Sequence, residues 1–411
     1  MEKEKMQEEK TRLKKLNTKY GTRLYTPFEN IVIKQGDGML CEDVDGQSYL
    51  DFFAAYSALP FGHGYKELVD VVTNRLINEK VCITSGAVHH DLHGLARQKI
   101  AEFTGFDKVE MASGGAEAVE KAIKFALWWG YKTKGVPLGK GQIISAKNNF
   151  HGRTKGVLEL SSDKLYKQFY AKSEQAIIVP YNDIDAMKKA VEENPNVVAI
   201  LVEPIQGEGG VIVPYEGYLR DLRRLCNNKN ILLIFDEIQT GFWRTGKRFC
   251  YMYEDAKPDL MTIAKAMSGG IMPISAVVGT KEVMGLLESG QDGSTWGGNA
   301  LACVIVIKVI EIFERMEREG LEAKMLELGN WFRSELGKIN HPLIKEVRGK
   351  GYLNGLVFSE PVADKYASEI AHNGLLCRGA HGYAIRLSPP IIAEKRHFKI
   401  AIGVIKQILE N

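Results

Sequence analysis

Lys265 is the only charged side chain between Asp259 and Lys281, in a run reading Leu-Met-Thr-Ile-Ala-Lys-Ala-Met-Ser-Gly-Gly-Ile-Met-Pro-Ile-Ser-Ala-Val-Val-Gly-Thr. An amine buried among such residues loses the solvation of its charged form. Its pKa then falls from ~10.4 toward the range where a neutral amine attacks a carbonyl. By itself the run also fits a surface lysine with uncharged neighbours. A second segment, Ile231-Leu-Leu-Ile-Phe-Asp-Glu-Ile-Gln-Thr-Gly241, changes the balance. It reads as a buried strand ending on Asp236, and open α/β sheets present ligand-binding groups at the carboxyl ends of their strands. A carbonyl-reactive lysine and an aspartate for a pyridinium nitrogen are together what pyridoxal phosphate requires.

Further segments carry compatible chemistry. Ser113-Gly-Gly-Ala-Glu-Ala opens a helical stretch, so its amides lie at the positive end of a helix dipole, where phosphate binds; a plain strand-to-helix turn has the same look. Asn149-Phe-His-Gly-Arg-Thr sets an aromatic ring beside a cation, as stacking on a flat ring and holding a carboxylate require. Val202-Glu-Pro-Ile-Gln-Gly-Glu-Gly-Gly puts Glu203 and Glu208 just past a strand, and Gly293-Ser-Thr-Trp-Gly-Gly-Asn offers hydroxyls in a glycine-rich loop. Other patterns point away from function. Gly349-Lys-Gly-Tyr-Leu-Asn-Gly has its third glycine displaced and precedes a strand, so it is no dinucleotide fingerprint. His89, His90 and His93 lack the glutamate of a zinc-protease helix. Arg223-Arg224 and the Lys/Glu-rich stretch 312–326 read as solvated faces.

These side chains need a scaffold. The chain has 411 residues, 45% of them hydrophobic and 26% charged, which is ordinary globular composition. A net charge of +3 carries no message about nucleic acid or membrane surfaces. Six cysteines (Cys41, Cys82, Cys226, Cys250, Cys303 and Cys377) form no CxxC pair, so neither a zinc site nor a disulfide framework is indicated, and no metal is expected. The charged start, Met-Glu-Lys-Glu-Lys-Met-Gln-Glu-Glu-Lys, is not read as a secretory signal. The uncharged run around Lys265 is interrupted by Gly-Gly and Pro273, which argues against a membrane span. The expected location is the cytoplasm.

The first twenty residues predict a charged, exposed helix. Ile31–Lys34 and Met39–Val44 alternate as strands, with a turn at Asp45-Gly46. From about residue 57, buried strands are predicted at Val109–Ala112, Gln142–Ala146, Ala176–Pro180, Val197–Val202, Ile231–Phe235 and Ser275–Gly279. Helices separate most of them, such as Ala116 to Trp129. This implies an α/β fold with a mostly parallel sheet covered on both faces. One long helical run, Leu301 to about Lys338, leads into a smaller α+β segment with strands near residues 344–347, 352–358 and 384–387. The expected division is residues 1–56 as an N-terminal helix and small β segment, 57–304 as a large cofactor-binding domain and 305–411 as a smaller C-terminal domain.

In order and content these segments resemble the class III, or ω-amino-acid, aminotransferases of the PLP fold type I (aspartate aminotransferase-like) superfamily, from about Tyr20 to Ile408. The resemblance implies pyridoxal 5'-phosphate as cofactor. Lys265 would be its Schiff-base lysine, Asp236 would pair with the ring nitrogen, and Gln239 would reach the ring hydroxyl. Gly115 and Ala116 would hold the phosphate by their amides, and Phe150 would stack on the ring. Thr295 would contact the phosphate bound in a partner subunit, making a homodimer the smallest active unit. Within the family the chain is most similar to the ornithine-using branch. There Tyr25, Tyr56 and Arg153 match the positions that hold the α-amino-acid end of ornithine, and Glu208 and Arg386 match a glutamate–arginine gate. The implied reaction moves the δ-amino group of L-ornithine to 2-oxoglutarate. Departures are His151 where animal enzymes have tryptophan, Ala116 where they have valine, and a bulkier Phe242-Trp243 pair. They leave open an acetylornithine, 4-aminobutyrate or other diamino-acid aminotransferase, or a racemase on the same scaffold.

Overall fold

A computed structural model describes residues 2–22, 24–80, 88–170 and 173–410; Cys82 lies outside them. The charged N-terminal helix is present as Glu2–Tyr20. The first strands are β1 (Ile33–Asp37), β2 (Leu40–Asp43) and β3 (Ser48–Asp51), and the turn between β2 and β3 passes through Gly46 at a φ of 80°.

The central sheet has seven strands: β4 (Lys108–Ala112), β5 (Gln142–Ala146), β6 (Ala176–Val179), β7 (Val197–Val202), β8 (Leu232–Asp236), β9 (Leu260–Ile263) and β10 (Ser275–Gly279). Their spatial order is β4-β10-β9-β8-β7-β5-β6. All pairings are parallel except those of β10, which runs antiparallel to both β4 and β9. Alternate residues of β8 show why its sequence is continuously apolar. Leu232 and Ile234 join Val119, Ala122 and Phe125 on one face, while Leu233 and Phe235 join Leu222, Ile305 and Val306 on the other. A strand covered on both faces has no polar side.

β9 is absent from the sequence-based expectation. It is four fully buried residues inside the long uncharged run, with neither alternation nor a turn signal before Lys265. The expected single run from 301 to 338 is two helices, Ala300–Arg318 and Leu321–Leu336. They part at Gly320, which takes the left-handed conformation (φ 88°) that a side chain disfavours.

C-terminal strands β11 (Ile344–Lys350), β12 (Leu353–Phe358), β14 (Arg378–Ala380) and β15 (Ala384–Leu387) make an antiparallel sheet ordered β11-β12-β15-β14. The two-residue β13 (Leu375–Leu376) instead pairs parallel with β3, so the N-terminal strands and the C-terminal segment share a sheet. The five described cysteines are buried and free. Among the described residues, no helix is long and apolar enough to cross a membrane.

Candidate active site

The carboxyl ends of β4, β5, β7, β8 and β9 lie along one edge of the central sheet, and each delivers a residue to one cavity of about 540 Å³. The helix Gly115–Trp129 follows β4, Phe150 follows β5, Glu203 follows β7, Asp236 ends β8 and Lys265 follows β9. Convergence at the carboxyl edge is the usual consequence of parallel strands joined by helices.

Lys265 sits two residues past the end of β9 at a φ of 46°, a strained conformation for a residue with a side chain. The part of it left open faces the cavity. Burial, then the Arg386 charge, lower its pKa to about 8 against the opposing pull of Glu208, Asp236 and Glu203. Asp236 is held from three directions. Its Oδ1 accepts from the Thr262 hydroxyl (3.0 Å) and the Ile238 amide (3.1 Å), and its Oδ2 accepts from His151 Nδ1 at 2.7 Å. His151 Nε2 is buried and without a hydrogen-bond partner among the described residues. Neither His151 nor Thr262 was assigned a role from sequence. For His151 the signal was present, since it stands beside the stacking phenylalanine, but the β5 and β8 ends had first to be brought together.

Gln239 lines the cavity and its amide donates to the Tyr56 carbonyl at 3.4 Å. It has room only because residue 207 is glycine: a Cβ there would fall 1.5 Å from Gln239 Oε1. At the helix start, Glu117 accepts from the amides of Ser113 (2.7 Å) and Gly114 (2.9 Å). The following amides, of Gly115 and Ala116, have no acceptor within the helix by construction, and both residues line the cavity. Glu203, buried at the cavity wall, accepts from the Phe150 amide at 3.1 Å. Burial and the nearby Asp236 push its carboxyl well above the usual range, against the Phe150 hydrogen bond and Lys265.

Arg386, on β15, is 1% exposed and reaches the site from the C-terminal sheet. Its Nη1 donates to Glu208 Oε1 at 2.6 Å, and its guanidinium lies 5.3 Å from the Tyr56 ring centre. Burial raises the pKa of Glu208, but Arg386 and Lys265 outweigh it and hold the carboxyl below its ordinary value. Tyr56 belongs to a left-handed turn in which Ala54, Ala55, Tyr56 and Ser57 all have positive φ without a glycine. Asp51 steadies that turn, its Oδ1 accepting from the amides of Phe53 (2.9 Å) and Ala54 (2.7 Å).

Arg153 stands 5.4 Å from the Phe150 ring and 4.6 Å from that of Tyr166, to whose hydroxyl it donates at 3.1 Å. Tyr25 is 65% exposed and lies within electrostatic range of Arg153 rather than on the cavity wall. Thr295 is exposed and also off the wall of its own chain's cavity. Phe242 and Trp243 do not reshape the pocket. They point into the core, where Trp243 stacks on Phe313 at 5.3 Å and Phe242 on Phe103 at 5.4 Å.

The donor set suits pyridoxal phosphate. It combines an amine of lowered pKa, a carboxyl acceptor, an aromatic face and free helix-start amides in a cavity of the size small-molecule sites have. Comparison with known proteins agrees. The profile of the family described as Aminotransferase class-III matches residues 20–409. The ornithine aminotransferase of Oceanobacillus iheyensis is 41% identical over 393 residues, covering 95% of this chain and 96% of the relative. An ornithine aminotransferase structure from Toxoplasma gondii, described as having partial occupancy of PLP at its active site, superimposes with a TM-score of 0.93 at 34% identity, covering 98% of this chain and 94% of that one. The acetylornithine aminotransferase structure from Elizabethkingia anophelis gives 0.87 at 36% identity, covering 98% and 99%.

Proposed function

This chain belongs to the class III aminotransferases, and on that footing we propose that it transfers the δ-amino group of L-ornithine to 2-oxoglutarate, giving glutamate 5-semialdehyde and glutamate. The observation that carries this reading is the buried Arg386, already paired with Glu208 on the wall of the lysine's cavity. An ω-aminotransferase alternates between two amines of different surroundings. Ornithine presents its δ-carbon, which bears no carboxylate, whereas glutamate presents an α-carbon that does. A guanidinium that can be covered and uncovered fits both, because it binds carboxylates bidentately when free.

Pyridoxal phosphate, when bound, supplies an aldehyde that condenses with amines and a ring that withdraws electrons from the substrate carbon. Lys265 Nζ, with a pKa near 8, presents enough neutral amine at physiological pH to react and to carry a proton at that carbon. Asp236, its Oδ2 fixed by His151, would accept from the pyridine N–H. Amides of Gly115 and Ala116 would hold the phosphate, joined by Thr295 of a second copy of the chain, which would make a homodimer the working unit. Gln239 would contact the ring hydroxyl and Phe150 would cover one ring face, both lining the cavity. Arg153, Tyr25 and Tyr56 hold the far end of the amino acid, and Glu208 covers Arg386 until a carboxylate displaces it.

A second reading, N-acetylornithine as donor, is favoured by the similarity to the Elizabethkingia anophelis protein. Initial rates with ornithine, acetylornithine, 4-aminobutyrate, lysine and alanine, each with 2-oxoglutarate, test the two. The expected result is a kcat/KM for ornithine at least about tenfold above the others, a margin of ~1.4 kcal/mol in transition-state binding. A higher value for acetylornithine would replace this reading with the second.

A further inference from the structure

Cys41, Asp51 and His63 lie outside the cavity, yet their functional atoms converge. Cys41 Sγ is 2.9 Å and Asp51 Oδ2 is 3.0 Å from the same atom, His63 Nε2, and all three lie within 4.8 Å of one another. A catalytic thiol triad would use both ring nitrogens, with the carboxylate on the one remote from sulfur. Here both partners crowd one nitrogen, and a single N–H cannot point at Sγ and Oδ2 together. We propose that Cys41, Asp51 and His63 form a binding site for one divalent, thiophilic cation, with zinc the first choice.

Ligand chemistry supports the choice. Thiolate, imidazole and carboxylate are the three zinc-binding groups of proteins, and three of them leave a fourth tetrahedral position for water. Charge also balances: one thiolate and one carboxylate neutralise a divalent ion, as a buried site demands. Cys41 and Asp51 are 4% and 3% exposed, while the His63 side chain is 27% exposed and opens a path for the ion and its water. Ligand atoms around zinc stand roughly 3.3–3.6 Å apart, given bonds of about 2.0–2.3 Å. The two distances to His63 Nε2 therefore need to lengthen by only about half an ångström.

The site is also pre-built. Cys41 pairs with Tyr49 across β2 and β3, and Asp51 ends β3. The His63 backbone exchanges two hydrogen bonds with Gly38 (2.9 and 2.8 Å). Its ring rests on the bare backbone of β1, for a Cβ on Gly36 would fall 2.6 Å from His63 Cγ. Oδ1 of Asp51, not needed for the ion, is held by the amides of Phe53 and Ala54, the kind of outer contact that orients metal ligands. The sequence pointed away from a metal because positions 41, 51 and 63 have no zinc-motif spacing; strand pairing brings them together. Burial, then the Asp51 charge, raise the Cys41 thiol to about 12, so binding at neutral pH must release one proton.

The test is equilibrium dialysis of the holoenzyme against zinc chloride, with cobalt(II) as a spectroscopic replacement. The wild type is expected to retain one ion per chain. Cobalt should give the intense visible bands of a tetrahedral thiolate site, to the red of the cofactor's absorbance. Cys41→Ala, which touches no catalytic group and should keep its transaminase rate, is expected to lose that ion and those bands, with affinity down by more than about a hundredfold. His63→Gln gives a second variant should Cys41→Ala fold poorly. A wild type that retains no ion, or variants that retain it with the same cobalt spectrum, would overturn the proposal.

Discussion

Arg386 donates to Glu208 with one arm of its guanidinium and leaves the other empty-handed. Nη1 meets Oε1 at 2.6 Å, whereas Nη2 is buried and without a hydrogen-bond partner among the described residues. A permanent structural pair would be expected to use both arms, since a buried unsatisfied donor costs about 1–3 kcal/mol. The half-made fork suits a group waiting for a bidentate carboxylate.

Glu208→Ala should therefore uncover Arg386 and favour glutamate over ornithine. We expect the ratio of the two single-turnover rates to move toward glutamate by about tenfold, the worth of one charge-assisted hydrogen bond. Arg386→Ala should slow the 2-oxoglutarate half by at least about a hundredfold while sparing the ornithine half. Equal losses in both halves from Glu208→Ala would mean that the pair is only structural.

Lys265 carries a pH signature that does not depend on turnover. Its folded pKa of about 8 lies below its ordinary 10.5, so unfolding takes up a proton between those values. Stability of the cofactor-free protein must then rise with pH across that window, and below about 8 the full penalty applies, at most about 3 kcal/mol. Lys265→Met, also without cofactor, should be more stable than wild type at pH 7, and the difference should shrink as pH climbs toward 10.5. Denaturant melts at several pH values measure it; a difference independent of pH would contradict the buried amine.

His151 is expected to act through Asp236. His151→Phe keeps the ring volume but removes the Nδ1 donor, leaving Oδ2 short of one hydrogen bond. The predicted effect is a fall in kcat of about tenfold with little change in KM. The pH titration of the cofactor's absorbance should shift with it, and His151→Asn, which can still donate, should recover part of both. A merely structural histidine would leave that titration in place.

Thr295 separates sites made by one chain from sites made by two. A hybrid of one Lys265→Ala chain and one Thr295→Ala chain contains a fully intact site only if the threonine acts across the subunit boundary. Half of the sites should then retain the cofactor as tightly as wild type and turn over normally. If Thr295 serves its own chain, no site of the hybrid is intact, and neither property would be recovered.

The sequence by itself determined the strand ends and what they carry. Unbroken apolar runs followed by Glu203 or Asp236, and a lone lysine in an uncharged stretch, are local patterns, and locally the backbone obeys them. It could not show β9, whose four residues are a strand only because β8 and β10 flank them. Nor could it show the left-handed turn at 54–57, which contains no glycine and is held by Asp51 from outside. Tertiary structure decided the pairs that matter to the chemistry: His151 with Asp236, Glu208 with Arg386, and Cys41 with Asp51 and His63. Their partners are from ten to 178 positions apart along the chain. Contacts at such separations depend on strand order and register, which are settled by the packing of the whole sheet and not by any local run of residues.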